Sequence, residues 1–410
     1  MNVPPNIPTA NTYDVKSVNR VVCILSYTSS ASCLMSSLLD NHPNVLDTPD
    51  NILGDFQSFW EEHGHLRLDP LLSEFLDRYI MIFDARMKRK GYEGTVDTGE
   101  THGFTTLGPN RDECLEVDHA AFKNEVRHLI GETYPVPKKL FFQALHVAYS
   151  RASGRGEADN PIIVFGLHSL HYEGRLEGLT DDFSDVYLLQ MVRHPLRATA
   201  SRVRTQIRTD QSVAWGFCKS IAGVSTSGVN SPLVDTACCR AVRMEDLHNA
   251  PEQTMRKICE WLDLPWDDSL LESTINGKQW WNGKHSAQVS GFNPSIAAQT
   301  FEEYLPSFDR FRLGILLGRK CSAWEYPVHR WSQNLLARVL ILPFLMLPFK
   351  MELMIFPSLT EYLRTGEGTF LKRIQNWLRG LGAWLVKGRV ELLKAWLILV
   401  SGRHSEVQLL

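Results

Sequence analysis

The sequence predicts an α/β protein with a parallel sheet that is covered by helices on both faces. Short apolar runs rich in β-branched residues alternate along the chain with segments of helical periodicity, as in βαβ units. The runs are residues 21–25, 161–166 and 186–192 and, as a weaker pattern, 236–242. Ligands on such sheets gather at the carboxyl ends of the strands. The polar residues that follow these runs are therefore the candidates for a site.

Composition indicates an ordinary folded protein. The 410 residues are 44% hydrophobic and 22% charged, with a formal net charge of −3. This balance argues against disorder and gives no overall attraction for nucleic acid, so we expect no nucleic-acid partner. The eight cysteines form no CxxC pair, and several lie within apolar segments. They indicate buried thiols in a reducing, cytoplasmic compartment, and neither a disulfide framework nor a metal site. Residues 1–15 lack the pattern of a signal peptide.

The first apolar run leads into a turn of small, hydroxyl-bearing residues and then into a helix. The turn is residues 26–32, SYTSSAS, and apolar side chains follow on one helical face at Leu34, Met35, Leu38 and Leu39. Strand, turn and helix in this order aim backbone N–H groups and a helix N-terminus at one point, which favours phosphate-like anions. No Gly-Lys-Ser/Thr closes the turn, so it is not a Walker loop. An ordinary turn with capping serines remains the alternative.

A second anion-binding pattern follows the third run. Arg193 comes directly after it, and Pro195 suits the first turn of the next helix, where its missing N–H costs nothing. Arg193 is thus expected near a helix N-terminus, where a guanidinium and backbone donors can share a phosphate. Ser201 follows about two helical turns later on roughly the same face. The alternative is a surface arginine with a solvent-facing serine.

With these two patterns the chain resembles the sulfotransferase family, which uses 3′-phosphoadenosine-5′-phosphosulfate (PAPS). Three segments carry the resemblance in the family's order and spacing. They are residues 29–35 with 38–43, the Arg193-His194-Pro195 helix start with Ser201, and residues 243–247 (RMEDL) with the helix that follows. The resemblance covers roughly residues 20–327, because residues 313–326 also resemble the family's closing helix and its end.

The resemblance implies a P-loop-like fold, PAPS as co-substrate and no metal. Backbone N–H groups and hydroxyls of one turn would hold the 5′-phosphosulfate end of PAPS. That turn is Ser29, Ser30, Ala31, Ser32 and Cys33. Arg193 and Ser201 would hold the 3′-phosphate.

The resemblance also implies a general base for the acceptor hydroxyl. In soluble members this base is a histidine after the second predicted strand, which places His168 in the role and His171 as its near rival. A surface or capping histidine is the alternative for each. Other branches of the family use a carboxylate, so Glu61, Asp97 and Glu100 also stay open.

One departure from the family pattern concerns catalysis. The family places lysine or arginine where this chain has Ser29, and glycine where it has Ala31. The basic side chain neutralises charge on the leaving oxygen, and losing such a contact typically costs about 100- to 1000-fold in rate. Cations from elsewhere that could replace it are Arg202, Arg204, Lys284 and His285. Without a replacement, the chain would be a weak enzyme or a non-catalytic relative.

Two further segments carry weaker signals. Residues 88–112 form a long polar stretch, which is typical of a lid or binding loop. Trp280 and Trp281 stand near the place of the family's nucleotide-covering loop, although adjacent tryptophans more often pack in a core or at its rim.

The character of the chain changes after residue 327. Residues 339–357 are apolar over about the length of a bilayer span, but Pro343, Pro348 and the charges at Lys350 and Glu352 argue against a simple spanning helix. Residues 369–400 then combine tryptophan and basic residues in a helical pattern, which is typical of an amphipathic helix in the headgroup layer. The alternatives are a helical hairpin packed on the globular domain and an oligomer interface.

These observations combine into one hypothesis. Residues 1–18 are a flexible lead-in, residues 19–327 a sulfotransferase-like domain and residues 328–410 a helical extension. The protein transfers a sulfuryl group from PAPS to a hydroxyl of a small-molecule or lipid acceptor. It is cytoplasmic and associates peripherally or monotopically with a membrane surface through residues 339–400. The rivals are a non-catalytic membrane-associated nucleotide-binding relative and, disfavoured by the missing Walker loop, a P-loop kinase. A homo-oligomer stays open.

Overall fold

The computed structural model describes residues 14–26, 30–49, 52–88, 99–155, 159–167, 175–208, 218, 221–225, 236, 238–281, 289–298, 305–353, 361, 363–364, 366, 368–382, 386–401 and 407–410. Its strands are β1 (Arg20–Ser26), β2 (Val45–Asp47), β3 (Ile162–Leu167), β4 (Asp185–Val192) and β5 (Cys239–Arg243), with a hairpin of β6 (Thr274–Ile275) and β7 (Lys278–Gln279). The first five form one sheet in the order β2-β3-β1-β4-β5. β3 pairs in parallel with both neighbours, Val21 opposite Ile163 and Val45 opposite Ile162. The predicted α/β class is confirmed.

Helices flank the sheet. They are α1 (Ser32–Leu39), α2 (Phe56–His63), α3 (Leu68–Tyr79), α4 (His119–Ile130), α5 (Lys138–Ala152), α6 (Arg175–Asp182), α7 (Pro195–Arg208), α8 (Met244–Asn249), α9 (Pro251–Leu262), α10 (Pro294–Ala297), α11 (Ser307–Leu316), α12 (Gly318–Ala323), α13 (Leu335–Leu340), α14 (Leu342–Met346), α15 (Lys350–Leu353), α16 (Phe370–Gly382) and α17 (Gly388–Val400). α1 packs on β3, and α5 packs on β2.

The chain divides into two compact units. Unit 1 comprises residues 1–25, 32–189 and 250–293, and unit 2 comprises residues 26–31, 190–249 and 294–410. Unit 1 contains an aromatic cluster, in which rings from α2, α3 and α5 form stacked, tilted and edge-to-face pairs. Such a cluster buries a large apolar area in few residues. The division of the chain into residues 1–18, 19–327 and 328–410, which the sequence predicts, stays a prediction.

A buried carboxylate fixes the end of α1 within unit 1. Asp40 accepts hydrogen bonds from the Thr274 hydroxyl and from the backbone N–H groups of Asn276 and Gly277, each at 2.9 Å. Arg155 completes the cluster by pairing with Asp47 and approaching Asp40 at 3.6 Å. These contacts tie the residue that follows α1 to β2 and to the turn between β6 and β7.

In unit 2 the C-terminal helices pack around a second buried charge. Arg312 on α11 is fully buried, lies 2.6 Å from Asp309 Oδ1 and stacks 3.6 Å from the Phe349 ring centroid. Its guanidinium also donates to carbonyl oxygens at 2.7, 2.7 and 2.8 Å, those of Phe344, Leu347 and Pro348. The first part of the predicted extension is therefore packed on the globular protein.

A second buried pair ties α17 to the same unit. Glu352 is fully buried, lies 2.6 Å from Arg389 and accepts a hydrogen bond from the Cys218 thiol at 3.1 Å. Further along, the backbone of residues 408–410 pairs with Ala241 of β5, with N–H to O distances of 2.7 and 3.0 Å. The packed hairpin considered above as an alternative thus describes part of the extension.

Two element predictions were wrong in detail. The helical pattern of residues 52–82 is interrupted at residues 64–67, between α2 and α3. Residues 268–275 form a short 3-10 turn (Asp268–Leu271) and then β6, instead of one helix. Within residues 369–400 the structure describes α16 and α17, and residues 383–385 lie outside the described residues. In the described part of the chain, no helix has the length and apolar character needed to cross a membrane.

Candidate functional site

The serine turn leads from β1 into α1. Ser29 lies outside the described residues, as do Tyr27 and Thr28. Ser30 is buried, with 1% of its surface exposed. Ser32 and Cys33 open α1, and the Cys33 side chain packs against an apolar cluster of unit 1. For Cys33 the predicted contribution to an anion site is therefore its backbone N–H alone.

Ala31 has the backbone geometry that a glycine would favour. Its φ angle is 65°, in the left-handed region, which costs an alanine about 1–2 kcal/mol. The resembled family has glycine here, so the turn keeps a left-handed residue although the side chain has changed. Turns that alternate right- and left-handed residues point successive N–H groups into one concavity. Among the described residues of this turn, 30–33, the left-handed Ala31 is compatible with the predicted anion cradle.

Arg193 and Ser201 are both interior residues of unit 2. Arg193 directly follows β4 and is 3% exposed. Ser201 lies in α7 and is 8% exposed. The interpretation as a surface arginine with a solvent-facing serine therefore fails. A guanidinium remains charged even when buried, so its burial requires anionic or carbonyl partners. This requirement is compatible with a phosphate-binding role, which stays a prediction.

Glu245 fixes the segment between Arg193 and α7. Its Oε1 accepts the backbone N–H of His194 at 3.2 Å, and its Oε2 accepts the hydroxyl of Tyr326 at 2.6 Å. Arg197 approaches Oε1 at 3.9 Å and donates to the Ala297 carbonyl at 2.5 Å. The segment at residues 243–247 thus acts by positioning the start of α7. Sequence reasoning identified this segment by resemblance alone and missed its partner, Tyr326.

The titratable groups around this carboxylate are held in one protonation state. Burial, assisted by the nearby Arg197 charge, lowers the pKa of His194 to about 4, so the ring is neutral at physiological pH. Its Nδ1 accepts the Leu196 N–H at 3.3 Å, which places the ring proton on Nε2. Burial and the Glu245 charge raise the pKa of Tyr326, so its hydroxyl remains a donor.

The candidate general bases are placed only in part. His168, His171 and Asp97 lie outside the described residues. Glu61 is exposed and accepts from Gln57 at 2.9 Å, and Glu100 is exposed as well. Nothing in these surroundings distinguishes either glutamate as a base.

The predicted replacement cations also fall mostly outside the described residues. Lys284 and His285 do so entirely, and only the backbone of Arg202 and Arg204 is described, within α7. Trp280 and Trp281 are packed within unit 1, where their indole N–H groups donate to the carbonyls of His102 at 2.9 Å and Gly108 at 2.8 Å. These contacts are those expected of tryptophans that pack in a core or at its rim. Among the described residues, no group of histidine, cysteine, aspartate or glutamate side chains could hold a metal ion.

A family model described as "Sulfotransferase family" matches residues 22–268. The chain belongs to the sulfotransferase family. This match spans β1 to the turn after α9 and so contains all three segments of the predicted site. A sulfotransferase-type function follows from the membership. Among curated proteins, none matches the chain.

This sulfotransferase chain is also similar to solved structures of low identity. The sulfotransferase domain from the curacin biosynthetic pathway shares 17% identity over 76% of this chain and 99% of that one, with a TM-score of 0.43. The domain from the Synechococcus PCC 7002 olefin synthase shares 18% over 76% and 96%, with 0.41. Sulfotransferase STF9 from Mycobacterium avium shares 17% over 77% and 80%, with 0.36. The assignment rests on the family model.

Proposed function

We propose that this sulfotransferase moves a sulfuryl group from PAPS to a hydroxyl of an amphiphilic acceptor at a membrane surface. Backbone N–H groups of residues 29–33 would hold the 5′-phosphosulfate, and Arg193 with Ser201 would hold the 3′-phosphate. His168 would take the proton from the acceptor hydroxyl. The reaction breaks the bond between sulfur and the bridging phosphate oxygen, forms the new bond to the acceptor oxygen, and leaves adenosine 3′,5′-bisphosphate.

The Arg193 segment carries this proposal. A buried arginine stands at the carboxyl end of a parallel strand, where such sheets bind ligands, and a carboxylate–tyrosine pair fixes the residue after it. The left-handed Ala31 adds support, since it preserves the backbone form of the turn that would face the phosphosulfate.

Calorimetry with adenosine 3′,5′-bisphosphate tests the nucleotide site. Loss of a charge-assisted phosphate contact is worth about 1.5–3 kcal/mol, so Arg193→Ala should weaken binding by roughly 10- to 150-fold. Ser201→Ala should have a smaller effect in the same direction. Arg256→Ala is the matched control, because Arg256 is an exposed arginine of α9 that pairs with Glu252 in its own helix and lies over the Trp266 ring. Equal affinity of Arg193→Ala and Arg256→Ala for adenosine 3′,5′-bisphosphate would refute the proposed nucleotide site.

The rival is a non-catalytic relative that binds the nucleotide without transferring sulfate. Its support is Ser29, which stands where the family has a cation. Transfer of labelled sulfate from PAPS to a lipid extract separates the two, with His168→Ala as the variant expected to lose activity while keeping nucleotide affinity. Tight nucleotide binding without any labelled product, over a range of pH, would establish the rival.

Exposed apolar side chains support the membrane part of the proposal. Many of them lie on the C-terminal helices, for example Leu336 at 64% and Leu371 at 79% exposure. The basic Lys372 directly follows Leu371 in the sequence. Such side chains enter the boundary between headgroups and acyl chains. Flotation with anionic vesicles should show weaker binding of the Leu336→Glu/Leu371→Glu variant. Met87→Glu, at an exposed methionine of unit 1, is the control, and equal flotation of both would refute the membrane contact.

A further inference from the structure

β5 lies at one edge of the five-stranded sheet, and residues 407–410 pair with it. The Ala241 N–H donates to the Gln408 carbonyl at 2.7 Å, and the Leu410 N–H donates to the Ala241 carbonyl at 3.0 Å. The pairing is parallel and sets Ala241 opposite Leu409. An edge strand offers its backbone groups to a further strand. Residues 407–410 are therefore an added strand on the β5 edge.

The added strand is held by a side chain as well as by its backbone. Val407 is 1% exposed and its neighbour Gln408 is exposed, an alternation that is typical of a strand with one covered face. The Val407 carbonyl accepts the indole N–H of Trp324 at 3.2 Å, and Trp324 is fully buried. Releasing the added strand would thus expose the valine and take this acceptor from a buried donor.

Two routes of contact lead from the added strand to the start of α7. Along the backbone, Ala241 lies four residues before Glu245, which accepts the N–H of His194 at 3.2 Å. Through a side chain, the added strand contacts Trp324, which lies two residues before Tyr326. The Tyr326 hydroxyl donates to the same carboxylate at 2.6 Å. Both routes therefore end at Glu245, and all of these residues belong to unit 2.

Arg243 connects the two routes. It is the last residue of β5, and its Nη1 donates to the Trp324 carbonyl at 3.4 Å. Its guanidinium also lies 5.7 Å from the centroid of the Tyr326 ring. A displacement of β5 would therefore also move the tyrosine that holds Glu245.

We propose that the added strand is a positioning element for Arg193. Docked on β5, it keeps Glu245 and Tyr326 in the arrangement that fixes the residue after Arg193. The strand follows α17 in the sequence, so it connects the C-terminal extension with the proposed nucleotide site. Its effect on nucleotide affinity rests on the proposed function. Its effect on residues 193–200 does not, because the protection of that segment is measured without nucleotide.

Neighbouring positions of the added strand supply a matched pair of variants. Val407→Asp puts a charge at a buried position, so the strand should leave its place on β5. Gln408→Asp introduces the same charge at the next residue, whose side chain is exposed, and should keep the strand docked. A chain that stops at residue 406 is the second undocked variant, since it removes the strand without burying a charge.

Hydrogen exchange of the backbone amides, read by mass spectrometry, tests the positioning. Amides of residues 193–200 should exchange at least about tenfold faster in both undocked variants than in Gln408→Asp, because the start of α7 has lost its support. Amides of α4 in unit 1 should exchange at the same rate in all of these proteins. Equal exchange of residues 193–200 in Val407→Asp and Gln408→Asp, or an equal increase in α4, overturns the proposal.

Calorimetry with adenosine 3′,5′-bisphosphate then tests the connection to the nucleotide site. Val407→Asp should bind roughly 2- to 30-fold more weakly than Gln408→Asp. Combined with Tyr326→Phe, the loss should be smaller than the product of the two single losses, because both changes act on Glu245. Losses that multiply would show that the strand does not act through this carboxylate. If wild type and Gln408→Asp both fail to bind the nucleotide, the proposed function fails, while the exchange rates still decide the positioning role.

Discussion

Replacing Tyr326 by phenylalanine removes one hydroxyl from the network that fixes the start of α7. The lost bond is the 2.6 Å contact to Glu245 Oε2, while the ring stays 5.1 Å from the His194 ring. A buried hydrogen bond to a charged group contributes about 1.5–3 kcal/mol. In a unit of this size each kcal/mol shifts the melting temperature by roughly 2–4 °C, so Tyr326→Phe should melt about 3–12 °C lower. Tyr134→Phe, at an exposed tyrosine that stacks with Arg67, should change it by about 1 °C or less.

A double-mutant cycle assigns the loss to this contact. Glu245→Gln leaves only one amide oxygen for the two donors, so it should also destabilise the protein. Because both changes act on one hydrogen bond, their combination should cost less than the sum, by about 0.5–3 kcal/mol. The cycle is measured by thermal denaturation of the four proteins under the same conditions. Additive effects within about 0.5 kcal/mol would refute the coupling.

The same variants connect the network to nucleotide binding. Glu245 accepts the N–H of His194, the residue directly after Arg193. A change that lets Glu245 move should therefore also displace Arg193. Residues that position a site without touching its ligand change affinity by about 0.5–2 kcal/mol, so adenosine 3′,5′-bisphosphate should bind roughly 2- to 30-fold more weakly to Tyr326→Phe. Unchanged affinity with a lowered melting temperature would show that the network is structural only.

Three further variants test other parts of the structure. Arg312→Met leaves buried carbonyls and a carboxylate without their donor, so it should lower the free energy of unfolding by about 3–5 kcal/mol and expose the following helices to proteolysis. Arg330→Met, at an exposed arginine, serves as control. Equal digestion of the two variants would contradict the packing. Ala31→Gly should stabilise the protein by about 0.5–1 kcal/mol because its φ angle is 65°, whereas Ala121→Gly in α4 should destabilise it by a similar amount, and the same sign for both would argue against the left-handed turn. Burial lowers the pKa of His146 to about 4, so its contribution to stability is complete above its ordinary pKa of about 6.5 and is lost as the pH falls toward 4. His146→Gln should therefore lose about 2 kcal/mol less than wild type between pH 7 and pH 5, and parallel melting curves would refute this.

Strand prediction succeeded where the apolar run was long enough to be recognised. β1, β3, β4 and β5 correspond to the four predicted runs, with limits that differ by up to three residues. β2 has three residues, Val-Leu-Asp, and exists because β3 supplies its hydrogen-bond partners. A segment this short has no periodicity of its own, so the sequence could not indicate it.

The extension shows the same limit for helices. The sequence identified residues 339–357 as apolar, but composition does not say which apolar side chains find partners. Leu345 and Phe349 are buried within unit 2, whereas Leu336 and Leu340 are exposed. Arg312, which organises this packing, is 30 or more residues from the carbonyls that it binds. Contacts at that separation leave no local pattern.

For the predicted site, the sequence by itself indicated the serine turn and the Arg193–Ser201 pair, because strand ends, helix starts and small residues are locally encoded. The sequence also indicated the family, because the segments that match the family are continuous in the chain. Only the tertiary structure decided that Arg193 is buried, that Ala31 is left-handed, and that Glu245 and Tyr326 hold the residue between Arg193 and α7. The physical reason is distance along the chain: Glu245 and Tyr326 are 81 residues apart, and folding alone brings donor and acceptor together.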